Sequence, residues 1–325
     1  MTDSNDNGES NILVRTWTEF NEDRGFRLGA ALAYFTVLAL PPMLVVVVSV
    51  AAYFFKAGEA VGVGSKEQSS EQVIEQTAEE ALGEQGKSQI VDILEAARDS
   101  DKSGLAAILG TLFLLFSASA AVAQLQAGLN DIWEVKPEPE SSIKDFLMKR
   151  LLSLGMVIGL GLLVVLSVTV SAALSKLPNE LLPGDMAKWT QSLTVNGVTF
   201  VLLSVLFAAM YKYLPDVKIA WKDTWVGAAV TALLFVVAKF ALGFYLGKND
   251  PGASYGDAGA LVAILVWIYY SMVVVLFGAE FTQVYARRYG DGIMPDEDAV
   301  RVIQTTEHVT GEDAEAVANH SSVDA

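Results

Sequence analysis

Lys239 and Glu280 each stand in a run of residues that is otherwise apolar, and no other groups are better placed to do chemistry. A charge in hydrocarbon is costly, so it marks an ion path, a proton relay or a substrate's counter-charge. Lys239 also has a plainer reading. About seven residues, or roughly 10 Å of helix, separate it from the end of its run, and its stem can snorkel that far. Glu280 precedes Arg287 and Arg288 by one to two turns, so a basic partner is expected for it. Lys239 would look the other way, to Asp250 or Asp257. Pro41 and Pro42 interrupt the first run, and the missing donors predict a kink whose freed carbonyls can line a path. Tyr34, Asn130 and Asp131 add polar lining to the same candidate route.

The chemistry open to these groups is narrow. The chain has no cysteine, and both histidines, His308 and His320, lie in a polar tail. Disulfides, thiolate nucleophiles and cysteine-type zinc sites are therefore excluded. Gly252-Ala253-Ser254-Tyr255-Gly256 spells a nucleophile elbow by letter but has neither the strand-to-helix turn nor the histidine base. Gly62 to Lys66 lacks the spacing of a P-loop. No catalytic residue, cofactor or metal is expected, and the remaining possibilities are transport and proton handling.

Six apolar stretches must position these residues: Ala30 to Phe55, Gly104 to Ala127, Leu151 to Leu174, Gly197 to Leu214, Trp225 to Leu246 and Ala258 to Phe281. Each is close to the roughly 20 residues that cross a bilayer core of about 30 Å. The expected fold is all-α, a polytopic bundle of six transmembrane helices. The apolar fraction of 52% supports this because it is concentrated in uninterrupted runs, without the polar stripe of a water-soluble helix. Small residues at Ser117 to Ala121, Gly155, Gly159 and Gly161 suit close helix packing.

Three regions follow. Residues 1–29 form a polar arm in which Ile12, Leu13, Trp17 and Phe20 predict a short amphipathic helix at the interface. Residues 30–286 form the membrane domain, including an acidic outer loop at 56–103 with two short amphipathic helical patterns. Residues 287–325 form an acidic, solvated tail, expected to be disordered. The net charge is −16, and no basic stripe interleaved with aromatics suggests a nucleic-acid partner. The candidate partners are membrane lipids and a second copy of the chain in a homo-oligomer. Lys and Arg are more frequent on the side that carries the termini, which places both ends in the cytoplasm of a cell with an inner membrane.

Several stretches resemble the YihY/BrkB family of bacterial inner-membrane proteins, a group once labelled ribonuclease BN. They are Arg27 to Pro42 (RLGAALAYFTVLALPP), Gly128 to Trp133 (GLNDIW), Leu214-Pro215-Asp216, Trp225 to Ala229 (WVGAA) and Tyr255 to Ala286. The resemblance implies a six-helix membrane protein, with proposed roles in transport, including lipid transport, and in serum resistance. A zinc-type nuclease would need clustered histidines, and this core has none. The expectation is a permease or flippase-like carrier of a lipid or small solute. The alternative is a non-transporting envelope scaffold that works through its outer loop and tail.

Overall fold

The computed structural model describes residues 11–40, 120–138, isolated helical positions between 148 and 166, 185–248 and 259–302. Pro41, Pro42, Asp250, Asp257, the outer loop at 56–103 and the tail beyond 302 lie outside the described residues.

Helix α1 (Ile12–Glu22) begins at Asn11, whose side chain accepts from the Leu13 amide at 3.1 Å. This cap satisfies one of the amides that a helix start leaves bare. Arg15 and Glu19 stabilise the helix further with an i,i+4 ion pair at 2.7 Å. The chain then reverses through Arg24, at φ 57°, into α2 (Gly25–Leu40). Gly25 is needed at this corner because a side chain there would run into the Phe20 ring. Phe20 is fully buried between Phe26 and Phe277, with ring centroids at 5.2 and 5.4 Å. Leu13 and Trp17 remain more than half exposed, so α1 has one face on the bundle and an apolar face turned outward.

Helix α3 (residues 120–132) leads through Trp133 into β1 (Val135–Pro137). Then come α4 (Asp185–Tyr213), β2 (Val217–Lys218), α5 (Trp221–Lys248), α6 (Gly259–Tyr289), β3 (Met294–Pro295) and β4 (Ala299–Arg301). Helix α5 packs between α4 and α6, and α1 lies against α6.

Helices α5 and α6 contain segments long and apolar enough to cross a membrane, Trp221–Ala241 and Val262–Tyr289. Two shorter apolar helices, Gly25–Leu40 and Gly197–Tyr213, accompany them. Along α5, Leu233, Val237, Phe240 and Phe244 form an exposed stripe one residue wide and three turns long, as a lipid-facing surface requires.

The α5–α6 crossing is close because small residues oppose threonines in both directions. Gly227 lies against Thr282, and Gly278 lies against Thr231, with no room for a side chain at either glycine. Each threonine hydroxyl donates to the carbonyl four residues back on its own helix, Thr231 to Gly227 at 2.8 Å and Thr282 to Gly278 at 2.7 Å. The hydroxyls are thus satisfied without help from the partner helix, and the contact between helices is van der Waals packing.

The described helices exceed the expected spans, and the all-α expectation needs one correction. Helix α6 continues to Tyr289 and α5 starts at Trp221, four residues before the expected span. Two antiparallel ladders also appear, β1 with β4 (Val135 opposite Arg301) and β2 with β3 (Val217 opposite Pro295). They fasten residues 291–302, read from composition as part of the solvated tail, onto the loops that follow α3 and α4. The architecture is mainly helical, with a small β-tied platform at one end.

Candidate functional site

The platform end holds the polar groups. Trp133, fully buried, donates from Nε1 to the Ala279 carbonyl at 2.9 Å, and this pins the end of α3 against α6 one residue before Glu280. Tyr211 of α4, also fully buried, donates to the Val275 carbonyl at 2.7 Å and lies 3.0 Å from the Thr231 hydroxyl. The end of α3 and helix α4 thereby grip α6 one turn apart, through side-chain donors to two of its carbonyls. Glu280 follows directly after the second of these anchors in the chain, Ala279.

Glu280 is fully buried, and its Oε2 has no hydrogen-bond partner. With the Gln283 amide turned to satisfy both of its ends, that side chain donates to Glu280 Oε1 at 3.2 Å and to the Ile132 carbonyl at 2.9 Å, and accepts from Arg287. The basic residue expected for Glu280 is engaged elsewhere. Arg287 pairs with Glu19 at 3.1 Å and with Glu134 at 3.4 Å. Glu280 instead faces Asp23, in the corner between α1 and α2. Burial pushes the Asp23 carboxyl up from 3.8 to about 6, with Glu134 and Glu19 adding to the rise while Glu280 and Arg287 oppose it.

Asp23 also borders a cavity of about 230 Å³ lined by Glu22, Arg24, Arg27, Asp131, Glu134 and Lys136 among others. A second cavity, of about 250 Å³, lies across Asp131 and includes Gln126, Asn130 and Asp216. There Asn130 donates to Asp216 Oδ2 at 2.7 Å and accepts from the Asp216 amide at 2.9 Å, while Gln126 donates to Oδ1 at 3.2 Å. These bonds hold α3 to the loop after α4. Among the described residues, no group of three or more acidic or histidine side chains is arranged to hold a metal ion.

Of the residues expected to line a path, the structure brings only some together. Glu280 is at the centre of the cluster, Asp131 is exposed at the rim of both cavities, and Asn130 is buried in the Asp216 network. Tyr34 is 58% exposed and meets Phe35 edge-on. Lys239 is exposed on α5. The Gly227–Thr282 and Thr231–Gly278 crossings put Lys239 level with Tyr270, which is about 15 Å along the axis from Glu280. Sequence reasoning did not single out Asp23, Glu19, Glu134, Trp133 or Tyr211 as members of a site. Trp133 and Asp216 fall within the stretches that carry the family resemblance, but Asp23 sits among other charges in a polar arm and gives no such signal.

The chain is mainly helical, and two of its helices are long and apolar enough to cross a membrane, as in the membrane proteins to which it is related. It belongs to the family described as Virulence factor BrkB, whose profile matches residues 16–302. The UPF0761 membrane protein of Alkalilimnicola ehrlichii is 32% identical over 275 residues, covering 82% of this chain and 56% of its own length. That of Alcanivorax borkumensis is 28% identical over 279 residues, covering 84% of this chain and 59% of its own. One from Vibrio vulnificus strain YJ016 is 26% identical over 283 residues and is covered over 83% of its length. The chain thus spans less than three fifths of the first two relatives. No solved structure matches.

Proposed function

We propose that this protein is a multi-pass inner-membrane transporter, a permease or flippase-like carrier of a lipid or small solute, with no catalytic activity. The observation that supports the reading is Glu280: a fully buried carboxyl on a membrane-length helix, with one oxygen unpartnered, reached through Asp23 from a charged cavity. An inert helix in lipid has no physical reason to keep such a group, since an apolar residue there would cost far less.

The reading carries six spans and cytoplasmic termini. The start of α2, the end of α3, the end of α4, the start of α5 and the end of α6 all meet at the platform. A chain that leaves that end and returns to it three times crosses the bilayer an even number of times. Lys and Arg density favours the platform side as cytoplasmic.

The test is reconstitution of the full chain into proteoliposomes, with lipid-scrambling and solute-uptake assays run in parallel. The expected result is activity in one assay that falls at least tenfold in Glu280→Leu. Inactivity in both assays, together with a stable protein partner recovered by crosslinking, would overturn transport in favour of the envelope scaffold.

A further inference from the structure

We propose that Asp23 and Glu280 together form a proton-binding site, in which one exchangeable proton bridges the α1–α2 corner to α6. The use of that proton as a coupling ion rests on the transport reading above; the site itself does not.

Three observations carry the inference. First, Glu280 Oε2 is completely buried and has no donor, although the buried oxygens of native proteins are nearly always bonded. Second, the group that faces it is another carboxyl. Two ionised carboxylates offer only acceptors, whereas a carboxylic acid donates, so a single proton converts a repulsive contact into a hydrogen bond and supplies the missing donor. Third, Asp23 belongs both to this contact and to the lining of the 230 Å³ cavity. Glu280 itself is fully buried, so Asp23 is the route by which the proton enters and leaves.

The surrounding charges leave the pair short of cations. Helix α1 contributes Glu19 and Arg15, already paired to each other at 2.7 Å. The residue after Trp133 contributes Glu134, and α6 contributes Arg287, which is divided between Glu19 and Glu134. Glu22, Arg24, Arg27, Asp131 and Lys136 line the same cavity as Asp23. With every group ionised, the four carboxylates Glu19, Glu134, Asp23 and Glu280 outnumber Arg15 and Arg287, the two guanidiniums paired within this cluster among the described residues. One bound proton reduces that excess and requires no movement of a side chain.

Amide replacements make the idea testable without unfolding the protein, because an amide N–H donates where the shared proton did. At about pH 7 ordinary carboxyls, with values near about 4, are ionised. Infrared spectra of the full-length protein in nanodiscs at that pH should then show the C=O stretch of a protonated carboxyl, shifted in heavy water. Asp23→Asn and Glu280→Gln should each abolish it, while the exposed Glu297→Gln should leave it in place. Absence of the band in the wild type, or its survival in both amide variants, would overturn the proposal. Should Glu280→Gln fail to fold, Asp23→Asn, which lies outside the helix, decides alone. A band that behaves as expected in a protein inactive in both proteoliposome assays removes the transport reading and leaves the proton site standing.

Discussion

A carboxyl pushed up to about 6 by burial, as Asp23 is, makes stability depend on pH in a defined direction. In the unfolded chain the group ionises at its ordinary value of 3.8, whereas the folded chain keeps its proton until about 6. Between those values the native state binds more protons than the unfolded one, so stability falls as pH rises through that window and Asp23 adds no further slope above it. Asp23→Asn should remove this part of the slope. Unfolding midpoints in detergent, measured across the window, should fall with rising pH less steeply in the variant than in the wild type; identical slopes would exclude the assignment. Trp133 acts through a different term. Its indole N–H donates to the buried Ala279 carbonyl, and Trp133→Phe removes that hydrogen bond while opening space beside it. A loss of about 1–3 kcal/mol is expected from the unmet hydrogen bond, visible as a lower midpoint of thermal unfolding with little change in pH dependence. An unchanged midpoint would mean that α3 is held by its aliphatic contacts alone.

At the scale of elements, the contact between α5 and α6 depends on two glycines that cannot accept a side chain. Gly227→Ala puts a methyl into the Thr282 side chain, whose Cβ and Cγ2 lie 2.7 and 2.9 Å from that position. Overpacking of this kind costs about 1–3 kcal/mol. Thr282→Ala removes two of the three atoms in the way, so the double variant should be more stable than the sum of the singles predicts, by an amount a double-mutant cycle on unfolding midpoints can resolve. Additive effects would show that the helices separate freely at this point. The helices themselves were legible in the sequence, because uninterrupted apolar runs need no knowledge of neighbours. The strands were not. Two or three residues carry no period, and β1 meets β4 across more than 160 residues of chain, so the pairing exists only once the helices have brought those loops to one end. Glu280 was legible for the same reason as the helices: an acid in an apolar run is conspicuous. Its partner Asp23, one charge among several in a polar arm, becomes a site residue only through the fold, and the same holds for Arg287, drawn away from Glu280 by Glu19 and Glu134.

For the whole molecule, the ladders and ion pairs at the platform make the sidedness of the chain testable as a unit. Arg287 ties α6 to α1 and to the residue after Trp133, Lys218 pairs with Glu297 at 2.9 Å, and β1 and β2 each take a strand from the segment after α6. Residues 11–24, 134–138, 214–220 and 290–302 must therefore lie on one side of the membrane together; no topology can separate them without breaking these contacts. The chain has no cysteine, so single-cysteine variants report position against a silent background. Glu138→Cys, Glu297→Cys and Asn21→Cys are exposed at the platform, and Ser70→Cys lies in the acidic loop at 56–103. In intact cells an impermeant maleimide should label Ser70→Cys only, and the three platform variants should react together once the membrane is opened. Labelling of all three in intact cells, with Ser70→Cys protected, would invert the orientation and preserve the shared platform. Labelling of one platform position without the other two would break the platform itself, and with it the geometry that brings Asp23 to Glu280.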